Sequence, residues 1–239
     1  SLHDALPILH EPDDMRRDNP PSNAKLLDYL ARELVDSDYD LKHIYRLILN
    51  SKTYQLAPVP RSKHPEAEAQ FAYYAPRRLE AEVLIDALCR ITGTTERYDS
   101  RIPEPFTFVP ETHRTVALPD GSITSPFLEM FGRPPRDSGL LSERNNTMSA
   151  AQRLHLLNSS HIRKKIERGP ALRPLLRKTW RNPHKSMETL YLTILSRRPT
   201  EAELLAIRQY SRTGEARGRR ALFDTIWALL NSSEVLYRH

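Results

Sequence analysis

Apolar residues recur at helical spacing along almost the whole chain, and nowhere does a sustained alternation of period two compete with them. That pattern confines the fold to packed helices, because only a 3.6-residue repeat places positions i, i+3, i+4 and i+7 on one face. Leu26, Leu27, Leu30, Leu34 and Val35 follow the stop-and-cap run Pro20-Pro21-Ser22. Asp40 is placed to cap a second helix with Leu41, Ile44, Tyr45, Leu47 and Ile48 on one side. Pro58, Pro60 and Pro65 break the chain, and a third helix is expected from near Pro76. It would bury Leu79, Val83, Leu84, Ala87, Leu88 and Ile91 and end at Gly93. Further on, Ser149 can cap a segment with Leu154 and Leu157, and Ile162 and Ile166 lie on a short helix stopped by Gly169. Met187, Leu190, Tyr191, Ile194 and Leu195 make another stripe, Thr200 and Glu203 form a capping box, and Leu222, Ile226, Leu229 and Leu230 mark the last helix. Leu-Asn-Ser closes an apolar helix three times, at 49–51, 157–159 and 230–232. Asn suits a left-handed helix end there, and Ser can cap the next segment. The fold class is therefore all-α, an irregular multi-helix bundle.

One stretch departs from this pattern. Residues 101–135 hold seven prolines, at 103, 105, 110, 119, 126, 134 and 135, with a turn signal at Leu118-Pro-Asp-Gly121. They are read as a long ordered excursion in the middle of the bundle, with a short helix near Phe127 to Phe131. At the other extreme, residues 1–8 look like an in-frame translation of a sequencing adapter, so 1–18 are set aside as scar and linker and the reading frame as truncated. Residues 19–239 are then expected to form a single helical domain.

Several function classes fall away on composition. No unbroken apolar run of about 18 residues is present, so no membrane-spanning helix is expected in this chain. The single Cys89 excludes a disulfide framework within the chain, a Cys-rich zinc site and c-type haem attachment. Flanked by Leu88 and Arg90 on an apolar helix, Cys89 reads as a small buried residue rather than a nucleophile. Asp36-Ser-Asp38-Tyr-Asp40 opens like a calcium loop, but Leu41 and Leu47 stand where glycine and the bidentate glutamate belong. His155 and His161 are six apart, which separates them on a continuous helix; only a break at Asn158 to Ser160 could bring them to a shared metal. No metal site is expected. Residues 161–220 carry 16 Lys and Arg against 5 Asp and Glu, whereas the rest of the chain carries 20 against 25. Such a stripe could neutralise phosphates, but its aromatics are sparse and no nucleic-acid motif stands in it, so a solvated helical face is favoured.

The densest polar segment is Phe131-Gly-Arg-Pro-Pro-Arg-Asp-Ser-Gly-Leu-Leu-Ser-Glu-Arg-Asn-Asn146. Arg133, Arg136, Asp137, Glu143, Arg144, Asn145 and Asn146 share a stretch too broken by Pro and Gly to be one helix. A rigid loop of that composition could orient a carboxylate, a sulfate or sugar hydroxyls through forked hydrogen bonds. Alternatively, the arginines pair with Asp137, Glu143 and loop carbonyls to hold a connection that has no core of its own.

The same segment carries a family resemblance. It combines Asn19-Pro-Pro-Ser22, Leu26-Leu-Asp-Tyr-Leu30, Asp40-Leu-Lys-His-Ile44, Arg77-Arg-Leu-Glu-Ala-Glu82 and Phe131-Gly-Arg-Pro-Pro-Arg-Asp137. Glu143-Arg-Asn-Asn146, Ala151-Gln-Arg-Leu-His-Leu-Leu-Asn158, Leu195-Ser-Arg-Arg-Pro-Thr200 and Ala228-Leu-Leu-Asn-Ser232 come next in order. Together these resemble the planctomycete-specific C-terminal domain, the PSD family, of planctomycete cytochrome-c-domain proteins. The resemblance implies an exported, extracytoplasmic or periplasmic parent with cytochrome-type domains upstream, tied to electron transfer and polysaccharide utilisation. Haem would then sit in those upstream domains, with no cofactor in this chain. The Cys-x-Cys that some members carry ahead of Glu-Arg is here Leu140 and Ser142, so no thiol role carries over. No reaction or catalytic residue comes with the resemblance. Two roles are expected from it: a helical accessory domain that binds those cytochrome-type domains, or an enzyme or binding module that takes acidic or sulfated polysaccharide through the 131–146 loop. Nucleic acid is not expected as a partner.

Overall fold

Helices dominate, as the spacing predicts, in a computed structural model. It describes residues 16–61, 63–64, 67, 71–74, 76–100, 108–118, 121–134, 144–145, 147–178, 183–212 and 218–238, the side chains of 176–178 and 238 excepted. The chain divides into two compact units, residues 1–77 with 140–144 and 239, and residues 78–139 with 145–238.

The smaller unit is built on a helical pair. Helix α1 (Ala24–Asp36) is capped one residue later than expected, by Asn23, whose side chain accepts the Leu26 N–H at 3.0 Å. Helix α2 (Leu41–Asn50) is capped by Asp40, which accepts the Lys42 N–H at 2.8 Å. Asp38 and Tyr39 make the reversal between them with left-handed backbone, φ 54° and 59°. Glu33 and His43 link the two helices at 3.0 Å. The core of this unit is thin. Ile44 and Ile48 are buried, and Leu30, Leu34, Leu47, Tyr54 and Phe71 pack around them half-buried. Leu41 and Tyr45, expected on the buried side of α2, are instead exposed, because the helix turns only the Ile44 and Ile48 edge inward.

The two-residue strand β1 (Arg77–Arg78), whose second residue begins the larger unit, precedes helix α3 (Ala81–Thr92). The helix starts later than Pro76, because residues 77–80 run extended and Glu80 is already the N-cap, with φ −60° and ψ 153°. Leu84, Leu88 and Ile91 are buried as expected and Ile85 joins them; Leu79 and Ala87 are half-buried, Val83 faces outward at 39% exposure, and Gly93 ends the helix at φ 72°. Within the Pro-rich excursion, β2 (Asp99–Ser100) and β3 (Ile123–Thr124) pair antiparallel, Asp99 opposite Thr124 and Ser100 opposite Ile123. A 3-10 turn over Thr115–Ala117 hangs from Asp86 of α3, whose carboxylate accepts the N–H groups of Thr115 and Val116 at 2.8 and 3.2 Å. The excursion is anchored by α4 (Pro126–Met130), which buries Phe127 and Leu128 and is followed by buried Phe131.

Helices α5 (Ala150–Asn158), α6 (Ser160–Arg168), α7 (Arg173–Lys178), α8 (Pro183–Leu195), α9 (Glu201–Arg212), α10 (Arg219–Leu230) and α11 (Ser233–Leu236) complete the unit. Helix α10 runs through the centre, with α6, α7, α8, α9 and α11 packed on it. The expected capping box of Thr200 with Glu203 opens α9, and Ser149, expected as a cap, forms a second one with Gln152 that opens α5. On α5 the buried residues are Gln152 and Leu156, while Leu154 and Leu157, expected inside, are 59% and 50% exposed. Arg197 clamps two elements, donating to Glu203 and to Glu234 of α11, and its hydrogen bonds hold the Glu203 carboxyl down to about 2. The chain closes on strand β4 (Tyr237–Arg238), which pairs with β1, and the Leu79 N–H donates to the Leu236 carbonyl at 2.8 Å.

The three Leu-Asn-Ser runs end helices without left-handed Asn, which corrects that expectation. In two of them the extended Ser does the work: Ser51 Oγ accepts the Tyr54 N–H and Ser159 Oγ accepts the Ile162 N–H. Gly169 likewise stops α6 without a positive φ. It is required for space, since a Cβ there would overlap the Thr92 carbonyl oxygen.

Candidate functional site

Three groups of side chains in the larger unit have the chemistry of a site, and the first lies at the ends of the predicted loop. Arg78 is 1% exposed, and its guanidinium donates to three carbonyls, those of Leu79 at 3.0 Å, Phe131 at 2.7 Å and Asn145 at 3.0 Å. It also lies over the Phe131 ring, 5.4 Å from the centroid. The Asn145 N–H donates to the Gly132 carbonyl at 3.2 Å, so the entry and exit of the loop touch. Gly132 has φ 80°, and a Cβ on it would overlap the Asn145 carbonyl oxygen. Gly132→Ala is expected to cost about 2–3 kcal/mol, from the left-handed backbone and the forced separation of the two strands of the loop. A urea-unfolding midpoint within error of the parent would show that the contact is not held in solution.

Of the residues singled out in that loop, Arg133 and Asn145 come together here. Arg133 is half-buried with its side chain 9% exposed, pairs with Glu82 of α3 at 3.2 Å and donates to the Ile123 carbonyl of β3. Asn145 turns its side-chain oxygen back to the Thr147 N–H at 3.0 Å. Arg144 is half-buried and falls with the smaller unit. Arg136, Asp137, Glu143 and Asn146 lie outside the described residues.

The second group was missed in the sequence. Lys165 of α6, only 7% exposed, places its ammonium 2.8 Å from the Glu96 carboxylate. It also donates to the Thr95 carbonyl at 2.9 Å, Thr94 Oγ1 at 3.4 Å and Cys89 Sγ at 3.2 Å. His161 Nε2 reaches the same Glu96 oxygen at 3.0 Å. Burial pushes the Glu96 carboxyl up, but the hydrogen bonds from His161 and Lys165 outweigh it, and the group ends below the usual carboxylate range. Burial pushes the Cys89 thiol up more than Lys165 pulls it down, which keeps it protonated and a poor nucleophile. The break at Ser159 does what a continuous helix could not: the His155 and His161 rings lie 5.8 Å apart, both edge-on to Phe127. His155 Nε2 is buried with no hydrogen-bond partner among the described residues. Burial, and then the neighbouring His161, lower its pKa and keep it neutral. Among the described residues no three His, Cys, Asp or Glu converge as metal ligands. The cluster can hold protons and lock α3 to α6. The only signal for it in the sequence is the Ser159 cap between two histidines.

The third group lines a recess of about 880 Å³ between the end of α5, α6 and the outer face of α10. Arg163 and Glu167 of α6 stand on one side, and Arg219, Arg220, Phe223, Asp224 and Trp227 of α10 on the other. Arg163, Arg219 and Arg220 bring part of the basic 161–220 stretch onto this concave surface. No described helix is long and apolar enough to cross a membrane.

No curated protein and no solved structure matches the chain. Residues 5–211 match the family PSD1, described as protein of unknown function (DUF1553), in keeping with the motif order from Asn19 through Thr200; since the match takes in well over half of its residues, the chain belongs to that family.

Proposed function

We propose that this chain is a helical accessory domain of an exported, cytochrome-c-associated protein, and that it works by binding a cytochrome-type domain of its parent through the helical pair of the smaller unit. The observation behind this reading is the outer face of α1 and α2. Helix α1 buries none of its residues completely, and Leu41, Tyr45 and Leu49 form an i, i+4, i+8 stripe along α2 at 60%, 46% and 48% exposure. Val35 and Tyr39 extend the apolar surface at the reversal, at 57% and 67% exposure. Contiguous exposed apolar residues of this kind mark surfaces that meet a partner. The cytochrome association, the export and a place in polysaccharide utilisation come from the motif resemblance alone.

The 131–146 loop as a seat for acidic polysaccharide has less behind it. Arg133 is engaged by Glu82, and Arg78 and Asn145 are engaged by backbone.

The test uses the haem-loaded cytochrome-type domain of the parent reading frame as the probe. It is expected to bind this chain, and Leu41→Asp with Tyr45→Asp should weaken binding by at least about tenfold, as loss of a buried apolar anchor does. Both positions are exposed, so the thermal midpoint of the free chain should hold. Failure to bind, or binding indifferent to the two substitutions, overturns the proposal.

A further inference from the structure

We infer that the recess between α5, α6 and α10 binds a small ring-bearing ligand with a single negative charge, a carboxylate or sulfate carried on an aromatic or sugar ring. The inference is independent of the docking proposal, because it rests on a different unit and different residues. Helix α10 has two distinct faces. Ala221, Leu222, Thr225, Ile226, Leu229 and Leu230 are buried in the core. Arg220, Phe223, Asp224 and Trp227 recur at i, i+3, i+4 and i+7 on the other side, where they line the recess. Phe223 and Trp227 are half-buried, with ring centroids 5.8 Å apart and planes inclined by 47°. They give the recess an apolar floor that can take the face of a ring.

Charge decides what such a ring must carry. On α6, Arg163 and Glu167 neutralise one another at 2.8 Å. Asp224 accepts a hydrogen bond from Tyr210 at 2.9 Å and places a carboxylate in the wall. Arg219 and Arg220 also line the recess, are exposed and have no ion pair among the described residues. Two guanidinium groups against one carboxylate leave a net charge of one, which matches a monoanion and suits guanidinium's forked geometry. A polyphosphate or nucleic-acid strand fits poorly, since Asp224 and Glu167 would stand against its charge. The same two carboxylates can accept hydrogen bonds from ring hydroxyls.

Glucuronate, glucose 6-sulfate, benzoate and inorganic sulfate, titrated separately and followed by calorimetry and Trp fluorescence, test this. At least one ring-borne anion is expected to bind with Kd at or below about 1 mM, and inorganic sulfate at least about tenfold more weakly. Tighter binding of the first two identifies a sugar acid or sulfate, and tighter benzoate an aromatic acid. Arg219→Ala with Arg220→Ala should raise Kd by at least about tenfold, as removal of charge-assisted hydrogen bonds does. Both arginines are exposed, so the thermal midpoint should stay in place. No binding of any ring anion at about 10 mM, inorganic sulfate binding as tightly as the ring anions, or full affinity in the double variant overturns the inference.

Discussion

Replacing Arg78 by Met is expected to lower the unfolding free energy of the larger unit by about 3–5 kcal/mol, enough to unfold a domain of ordinary stability. The methionine fills much of the volume, so the loss is not mainly a cavity. It comes from three carbonyls, on Leu79, Phe131 and Asn145, that lose a charged donor, the Phe131 carbonyl in a buried position and the other two in partly buried ones. Arg78→Lys keeps the charge but cannot address three acceptors with a planar fork, so it should recover only part of the deficit. Urea-unfolding midpoints of the three proteins check this. A Met variant within about 1 kcal/mol of the parent would mean that the loop ends are not held by Arg78.

The second large effect is at Lys165. Lys165→Met leaves the Glu96 carboxylate, its side chain only 12% exposed, with only His161 to support it, and should cost about 3–4 kcal/mol near neutral pH. Adding Glu96→Leu should restore a good part of the loss, since an apolar pair does not need the desolvated charge. The double-mutant cycle reads the coupling directly. The parent also carries a definite acid dependence. The Glu96 carboxyl sits below its ordinary value in the folded state, so its contribution is present above the ordinary carboxylate range and is lost as pH falls through the depressed value. His155 is held neutral, so the unfolded chain takes up its proton first, and stability falls as pH drops below about 6.5. Both act in the same direction. Chemical denaturation from pH 8 to pH 4 should therefore show stability falling in the acid limb, with a shallower fall in His155→Gln; a flat profile contradicts the burial of the pair.

Much of the fold could be read in the sequence because its signals are local. Asp40, Ser149, the Thr200 and Glu203 pair and Gly93 cap helices through groups within a few residues of each other, and the apolar stripes of α3, α8 and α10 come from period alone. What escaped depends on residues far apart. Nothing near Gly169 tells that Thr92 lies against it, and nothing near Lys165 tells that Glu96 and Cys89 do. The same limit explains α5, where Leu154 and Leu157 satisfy a helical stripe but Gln152 and Leu156 are the side chains turned inward. At the candidate loop, composition identified the unusual segment but not that Arg78, 53 residues before Phe131, would hold its ends. The recess on α10 was half visible. Arg220, Phe223, Asp224 and Trp227 stand at helical spacing, yet only the packing of α6 leaves that face concave.

The backbone bond from Leu79 to Leu236 has a mechanical consequence. It joins the beginning and end of the larger unit, so a chain passing through that unit enters and leaves by neighbouring doors. Tension along the polypeptide would first peel β1 from β4, and the helical body would be spared until that short zipper had parted. Flanking segments could thus be exchanged or relinked by evolution without reshaping the lobe they bracket.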